Sequence, residues 1–277
     1  MLSLSQEKGA IVLDNLVFTD LDGTLLHHHN YCFEDAREAI DYLKTNSIPL
    51  IIVTSKTFSE VRVLQEKLEI DCPFIVENGA GIFLSATSPL TENMPPQKRH
   101  IKISQAKSYL ELRLFFKTLQ EKYKLRGFGD MELSEVVELT GLDEEDAINS
   151  MRRDFTEPFI ALEEIDLELL KQEVNVEGLD IVKGGRFFHL ISQGQDKARA
   201  MKYLTHLFEE RYSKKLKMIA LGDSANDFTM LQSADIGVLI QLHDGTYADI
   251  ECDEIIKTRH SGPKGWNETL LKVLDVK

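Results

Sequence analysis

Two aspartates separated by a single residue stand where an apolar run near the start of the chain ends. The run LVFTD, from Leu16 to Asp20, predicts a short buried strand, and Asp22 follows it before Gly23 allows a sharp turn. Because residues two apart in an extended segment point the same way, both carboxylates are expected to face one crevice. They repel each other there unless a cation lies between them or one keeps its proton. Mg²⁺ takes such oxygen ligands, and a proton on Asp22 could be donated to a leaving group; an ordinary turn is the alternative.

A second group of oxygen-bearing side chains follows another predicted strand, KMIAL. Asp223, Asn226 and Asp227 lie in the stretch GDSANDFTML, at the expected start of a helix, where the helix dipole favours acidic groups. A plain helix N-cap is the simple alternative, and it needs one residue of this kind. The turn holds three such residues, which is more than a cap requires.

Two further positions gain meaning from the strands and helices beside them. Thr54 and Ser55 end the apolar run IPLIIVT in the same way that Asp20 ends the first strand, and a hydroxyl there could hold a phosphoryl oxygen. Lys197, in GQDKARA, lies on a predicted helix, where a lysine is ordinarily solvated. It becomes a functional candidate only if that helix leads back to the crevice.

Strands that alternate with helices position these residues, and this alternation predicts an α/β fold with a doubly wound parallel sheet. In such a sheet, ligands bind at the carboxyl ends of the strands, which is where Asp20 and Asp223 are expected. The predicted strands are Leu16–Asp20, Ile48–Thr54, Phe74–Glu77, Lys217–Leu221 and Asp235–Ile240, and the predicted helices are Glu34–Thr45, Ser59–Leu68 and Gly194–Tyr212.

The middle of the chain has a different, mixed pattern that predicts an α+β insert between two halves of the sheet domain. Prolines mark its beginning, and Gly184-Gly185 is a hairpin signal near its end. We therefore predict a core in two segments, residues 1–87 and 192–277, with a cap at 88–191. The predicted elements of the cap are helices at Ser104–Tyr123, Leu133–Leu139 and Asp143–Met151, and strands at Ile101–Ile103, Phe159–Leu162, Leu179–Lys183 and Phe187–Ile191.

The composition limits the possible partners and the cellular compartment. A formal net charge of -14 disfavours nucleic acid, and it means that a small anionic substrate needs a metal or a local cluster of cations. The apolar runs are too short to cross a bilayer, and Glu7, Lys8 and Asp14 interrupt the position of a secretory apolar region. Three dispersed cysteines, at 32, 72 and 252, argue against a disulfide framework or a zinc site and fit a cytoplasmic protein.

The four motifs, taken in order, resemble the pattern of the haloacid dehalogenase superfamily. That pattern is an aspartate pair, a Thr or Ser after the second strand, a Lys and an acidic metal motif. A closer resemblance, over almost the full length, is to the mannosyl-3-phosphoglycerate phosphatase family of the Cof-like branch. It rests on the runs VTSKTFSEV, PFIVENGAGIF, RRDFTEPF, KGGRFFHL and GPKGW. The resemblance implies a Rossmann-like core, an inserted mobile α+β cap and a Mg²⁺-dependent phosphatase acting on mannosyl-3-phosphoglycerate.

The resemblance also implies a role for each motif residue. Asp20 is the expected nucleophile, and Asp22 the expected acid for the leaving alcohol and base for the water. Thr54 is expected to bind the phosphoryl group, with Ser55 as a substitute, and Lys197 to neutralise charge. The implied Mg²⁺ ligands are Asp20, the backbone carbonyl of Asp22 and Asp223, supported by Asn226 and Asp227.

A sugar phosphoglycerate carries a phosphate, a carboxylate and hydroxyl groups, so its site calls for cations and amides. Our candidates for substrate contacts are Arg153, Arg186 and His189 in the cap, with Asn78 and Gly79 at the end of the third strand. Strand alternation separates Arg186 from His189 unless the hairpin bulges, and surface charges are the alternative. His27, His28 and His29 follow the aspartate pair, and we assign them no function.

Other functions are compatible with the same motif residues. Glucosyl-3-phosphoglycerate phosphatase, sucrose-phosphate phosphatase, general Cof-type sugar phosphatases and phosphomannomutase all use the same core chemistry. A non-catalytic binding protein on this fold predicts the loss of Asp20, Asp22 or Asp223, and all three are present. The hexose and the oligomeric state are not set by these residues.

Overall fold

A large, mostly parallel sheet with helices on both faces is the main body of the protein. The computed structural model describes residues 13–85, 88–92, 100–183, 187–249 and 254–276. Their strands are β1 (Asn15–Thr19), β2 (Leu50–Val53), β3 (Phe74–Val76), β4 (Gly81–Ser85), β5 (His100–Ile103), β6 (Leu125–Gly127), β7 (Glu157–Ala161), β8 (Leu179–Lys183), β9 (Phe188–Ser192), β10 (Lys217–Gly222), β11 (Ile236–Gln241) and β12 (Ile256–Ser261). Their α-helices are α1 (Arg37–Thr45), α2 (Phe58–Leu68), α3 (Tyr109–Gln120), α4 (Leu133–Thr140), α5 (Glu144–Met151), α6 (Leu167–Val176), α7 (Lys197–Tyr212), α8 (Phe228–Ser233) and α9 (Gly262–Val273).

The large sheet has the strand order β12-β11-β10-β1-β2-β3-β4-β5. The strands from β12 to β3 are parallel, and β4 and β5 add two antiparallel strands at one edge. Its central strands are apolar on both sides because each side chain is covered by a helical layer. On β1, Val17 packs with α1, α2 and α9, whereas Leu16 and Phe18 pack with α7 and α8. The predicted α/β class with a parallel-sheet core is confirmed.

A smaller antiparallel sheet, in the order β6-β7-β9-β8, lies between the two sequence halves of the large one. Helices α3 and α6 cover one of its faces with an apolar cluster, and a second cluster gathers around α4 and α5. We call residues 109–192, from α3 to β9, the small-sheet unit. Strand β5 precedes it and pairs with β4 of the large sheet. The division into domains at 87/88 and 191/192 stays a prediction.

Some elements are shorter than predicted, and a helix cap or a change in backbone conformation explains where each begins or ends. Helix α3 begins at Tyr109 because Ser108 and Glu111 form a capping box. Strand β3 stops at Val76 because Glu77 has a φ of 49° and leaves the extended conformation. In the described part of the chain, no helix combines the length and the apolar character needed to cross a bilayer.

Candidate active site

Adjacent strands of the large sheet bring the predicted polar residues to one edge. Asp20 follows β1, Thr54 follows β2 and Asp223 follows β10, and these three strands are neighbours. The backbone pairing continues past the strand ends: Asp20 N–H donates to the Leu221 carbonyl at 2.9 Å, and Thr54 N–H donates to the Ile75 carbonyl at 3.0 Å. The backbone at these positions is therefore fixed by the sheet itself.

Lys197 reaches this edge from the first position of α7. Its side chain is 1% exposed, and Nζ lies 2.7 Å from Asp20 Oδ1 and 2.7 Å from Asp227 Oδ1. Asp196 caps the helix and so fixes its first turn. Burial opposes the charge of Lys197, but the two carboxylates outweigh it and raise the pKa of the amine. Helix α7 therefore does lead back to the crevice, and its first residue places a cation there.

Three buried carboxylates converge beside this lysine. Ligand oxygens of Asp20, Asp223 and Asp227 all lie within 4.8 Å of one another. Burial raises the pKa of Asp20 and of Asp223, and repulsion from the neighbouring carboxylates adds to the effect. A crowded set of buried carboxylate oxygens is a suitable environment for a hard divalent cation, because the ion removes the repulsion that raises these pKa values. The residues present therefore fit a Mg²⁺ ion.

The two acidic loops approach so closely that one of them needs glycine. Gly23 has a φ of +80°, and a Cβ built there would lie 2.4 Å from Asp223 Oδ2. Beside it, the Thr24 hydroxyl donates to Asp223 Oδ1 at 3.2 Å. The turn after the aspartate pair is thus shaped to hold Asp223.

Asp227 and Asn226 form hydrogen bonds around the loop that carries Asp223. Asp227 Oδ2 accepts from the backbone N–H groups of Asp223 and Ser224, each at 3.1 Å, while its other oxygen accepts from Lys197. The Asn226 amide donates to Asn78 Oδ1 at 3.2 Å, and its own oxygen accepts from the Ser224 hydroxyl at 2.6 Å. Both residues hold the Asp223 loop in place, and their support of a metal stays a prediction.

Asp22 lies apart from the buried cluster. Its side chain is 41% exposed, and Oδ2 is paired with Lys56 Nζ at 3.0 Å. Lys56 also lies 3.5 Å from Glu60 and 5.1 Å from the centre of the Tyr31 ring. Burial opposes the charge on Lys56, but Asp22 and Glu60 outweigh it and raise its pKa. Asp22 is therefore partly exposed, with a cation beside Oδ2, while its Oδ1 is buried without a hydrogen-bond partner among the described residues.

The loop after β2 places Thr54 and Ser55 differently. Thr54 is 1% exposed, and its hydroxyl oxygen accepts from Lys56 N–H at 3.2 Å. The Ser55 carbonyl accepts from Arg153 of the small-sheet unit at 2.8 Å. Thr54 thus lies at the sheet edge beside Asp20, while Ser55 forms part of the junction between the two sheets.

A left-handed run of backbone follows β3. Asn78 has a φ of 58° and Gly79 a φ of +92°, and a Cβ on Gly79 would lie 2.3 Å from the Asp196 carbonyl oxygen. The run therefore lets the end of β3 pack against the start of α7. It also turns the Glu77 carboxylate towards the small-sheet unit.

Glu77 is 1% exposed and collects three hydrogen bonds from one loop of that unit. The backbone N–H groups of Asp154 and Phe155 donate to it at 2.8 and 3.1 Å, and the Thr156 hydroxyl donates at 2.6 Å. Burial raises the pKa of Glu77, although Arg153 and these donors oppose that shift. Glu77 fastens the loop that carries Arg153.

The three predicted substrate residues of the small-sheet unit differ in their surroundings. Arg153 donates to the carbonyls of Ser150 and Ser55 and so anchors its own loop. His189 is 8% exposed and its Nδ1 has no hydrogen-bond partner among the described residues. Burial and the charge of Arg153 lower the pKa of His189 to about 3. Arg186 and the Gly184-Gly185 turn lie outside the described residues.

Reasoning from the sequence missed Lys56 and Glu77. Lys56 had a usable signal, because VTSKT places a cation directly after the hydroxyl pair at the ligand-binding edge. Glu77 had none, since an acid in an ENG turn is an ordinary surface pattern. His27, which received no function, pairs with Asp35 at 3.0 Å, and the rings of His28 and His243 stack 4.4 Å apart.

Comparison with known proteins gives consistent matches. The model of a family described as haloacid dehalogenase-like hydrolase matches residues 17–256. A protein of Persephonella marina named glucosyl-3-phosphoglycerate/mannosyl-3-phosphoglycerate phosphatase is 43% identical over 94% of this chain and 97% of its own length. A protein of Methanococcoides burtonii with the same name is 36% identical over 95% of this chain and 98% of its own.

Solved structures match the fold over nearly the whole chain. A crystal structure from Thermoplasma acidophilum has a TM-score of 0.68 at 17% identity and covers 96% of this chain and 100% of its own. A haloalkanoate-superfamily phosphatase of Bacteroides thetaiotaomicron has a TM-score of 0.65 at 18% identity and covers 98% of each chain. At such identities the likeness concerns the fold.

Proposed function

The chain belongs to the haloacid dehalogenase-like hydrolase family, and from this membership we propose that it is a Mg²⁺-dependent phosphatase that hydrolyses mannosyl-3-phosphoglycerate to mannosylglycerate and phosphate. Membership confirms the resemblance drawn from the sequence. Glucosyl-3-phosphoglycerate is the second proposed substrate, because both relatives carry both sugars in their names. The observation that carries the proposal is the buried carboxylate cluster at the edge of the parallel sheet, with Lys197 between Asp20 and Asp227.

The proposed reaction passes through an aspartyl-phosphate on Asp20. A carboxylate oxygen of Asp20 attacks phosphorus while the bond from phosphorus to the alcohol oxygen breaks. Asp22, on the open side of the site, gives its proton to that oxygen. A water then attacks the aspartyl-phosphate, Asp22 takes a proton from this water, and phosphate and the Asp20 carboxylate are released. The proton that Asp22 gives to the alcohol is replaced by the proton that it takes from the water, so the cycle balances.

The remaining core residues hold charge in place during these steps. Lys197 offsets negative charge on Asp20 and on the phosphoryl group, and Thr54 holds a phosphoryl oxygen. Phosphoryl transfer is catalysed mainly by this kind of positioning and charge stabilisation. Bound Mg²⁺ supplies further positive charge. Its proposed ligands are Asp20, Asp223 and the backbone carbonyl of Asp22, with Asn226 and Asp227 in support.

The small-sheet unit and the end of β3 are proposed to select the substrate. His189 offers a neutral imidazole whose Nδ1 lacks a partner among the described residues, which suits a sugar hydroxyl. Arg153, Arg186, Ser55, Asn78 and Gly79 complete the proposed contacts. We also propose a cytoplasmic location, because Cys32 and Cys72 carry free thiols.

The test is phosphate release from mannosyl- and glucosyl-3-phosphoglycerate beside sucrose phosphate and hexose phosphates, with Mg²⁺ or with a chelator. Asp20→Asn is expected to abolish release because it removes the nucleophile. Asp14→Asn, an exposed aspartate paired with Lys214, is the matched control and should keep full activity. Activity in the chelator would remove the metal from the proposal, and a broad substrate profile would remove the phosphoglycerate assignment. Retained activity in Asp20→Asn would remove the mechanism.

A further inference from the structure

Lys56 is a cation beside the catalytic acid that the mechanism above does not use. It stands on the loop between β2 and α2, and its Nζ lies 3.0 Å from Asp22 Oδ2. Its side chain is 15% exposed, so it stays in reach of the open side of the crevice. Thr54 fixes its backbone, because Lys56 N–H donates to that hydroxyl. The ammonium group is therefore held at a defined position next to the point where the alcohol leaves.

Two other described cations at the site, Lys197 and Arg153, direct their hydrogen bonds to other partners. Lys197 is 1% exposed and is bound by Asp20 and Asp227. Arg153 donates to the carbonyls of Ser150 and Ser55 and to the Thr156 hydroxyl. Lys56 differs from both, because one of its two carboxylate partners, Asp22, is 41% exposed, while the other, Glu60, is 9% exposed and lies 3.5 Å away.

The chemistry of the leaving alcohol brings a carboxylate to this position. In a 3-phosphoglycerate ester the carboxylate carbon is three bonds from the ester oxygen, a separation of about 3 to 4 Å in staggered conformations. The proposed mechanism places that ester oxygen in hydrogen-bond contact with Asp22. The carboxylate then arrives within contact distance of a group that lies 3.0 Å from the same aspartate. A second anion in a crevice that already holds buried carboxylates requires a fixed cation there.

We propose that Lys56 is a specificity-determining residue that binds the carboxylate of the leaving alcohol, a role that rests on the proposed phosphatase function. A charge-assisted hydrogen bond from an ammonium group to a carboxylate favours esters whose carboxylate carbon is two bonds from the ester carbon. Plain sugar phosphates have a hydroxyl or a ring carbon at that place. Lys56 thus selects for the phosphoglycerate half of the substrate, and the sugar is left to the small-sheet unit.

The experiment compares two substrates that differ only at the carboxylate. Phosphate release is measured from mannosyl-3-phosphoglycerate and from its analogue in which the carboxylate is reduced to a hydroxymethyl group. Lys56→Met is expected to lower kcat/KM for the acid by tenfold to a hundredfold more than for the alcohol, roughly the range of a hydrogen bond to a charged group, and mainly through KM. Lys56→Arg should recover part of this discrimination, because it restores a cation.

Lys44→Met is the matched control, since Lys44 pairs with Glu69 at the end of α1, and it should leave the ratio between the two substrates unchanged. Lys56→Gln keeps a polar head and gives the same comparison if Lys56→Met does not fold. An equal loss on both substrates would overturn the inference, because Lys56 would then act only through Asp22. Failure of the wild-type protein to release phosphate from either substrate would instead overturn the proposed function, so the two failures are distinguishable.

Discussion

The catalytic edge of the large sheet and its junction with the small-sheet unit are built in different ways. At the catalytic edge, Asp20, Asp223 and Asp227 are buried beside Lys197; strand pairing fixes the backbone of Asp20, and the Asp227 carboxylate holds the backbone of Asp223. The junction depends on one loop of the small-sheet unit, residues 152–156, and on the end of α5, where the Asn149 carbonyl accepts from the Thr57 hydroxyl. Glu77 binds the backbone of that loop, and Phe155 packs in the core of the large sheet.

Under the proposed function, this difference makes phosphoryl transfer and substrate selection separable. A change at the catalytic edge should then act on the phosphoryl group, which every phosphate ester presents. A change at the junction should act on the position of Arg153 and its loop, and so only on a substrate that reaches the small-sheet unit. The predictions below test this separation from the largest expected effect to the smallest.

Lys197→Met should lower phosphate release by about a thousandfold, because it removes the fixed positive charge that faces Asp20 and the transferred group. The loss should be the same for mannosyl-3-phosphoglycerate and for p-nitrophenyl phosphate, an ester too small to depend on the small-sheet unit. Removing one partner from a buried charged group destabilises proteins strongly, so circular dichroism and the urea midpoint must accompany the rates. A loss confined to the large substrate would contradict the separation.

Glu77→Gln should lower kcat/KM for mannosyl-3-phosphoglycerate by about thirtyfold, because the amide nitrogen would replace one of two carboxylate oxygens that each accept from a backbone N–H group, and a donor would then face a donor. The loss for p-nitrophenyl phosphate should be much smaller. Thr156→Val removes the hydroxyl that donates to Glu77 and accepts from Arg153, leaves both backbone donors to Glu77 in place, and should show the same selective loss in weaker form. The matched control is Glu69→Gln, whose carboxylate is 78% exposed. Equal losses on both esters would show that Glu77 supports the catalytic edge as well.

The same contrast explains how much the sequence could predict. Asp20, Thr54 and Asp223 each end an apolar run, so their meeting at one edge follows from the parallel sheet that those runs predict. The position of Lys197 could be predicted once the direction of helix α7 was known. The positions of Glu77 and Lys56 depend on partners distant in sequence or on the rotamer of a long side chain, and neither leaves a periodic signal.

Strand β12 and helix α6 are among the elements that the sequence analysis did not predict. Strand β12 has the sequence IKTRHS, and only Thr258 in it is buried, so it lacks an apolar pattern. Helix α6 was missed, although Leu170 and Val174 are spaced four apart and bury one face. The predicted strand ending at Glu77 was one residue too long, because left-handed backbone at an acidic residue is rare.

The smallest predicted effect is on the pH dependence of the free energy of unfolding, and it comes from His189 in the small-sheet unit. Burial and Arg153 lower its pKa to about 3 from an ordinary value of 6.5, so the unfolded chain binds a proton in this interval that the folded protein does not. The contribution of the neutral imidazole to the free energy of unfolding is complete above pH 6.5 and is lost as the pH falls below it. Between pH 7.5 and 5.5 the wild type should lose about 1.4 kcal/mol more than His189→Gln, measured by urea unfolding at each pH. Parallel losses in the two proteins would show that His189 takes up a proton freely in the fold, which would exclude the neutral imidazole proposed for the sugar contact.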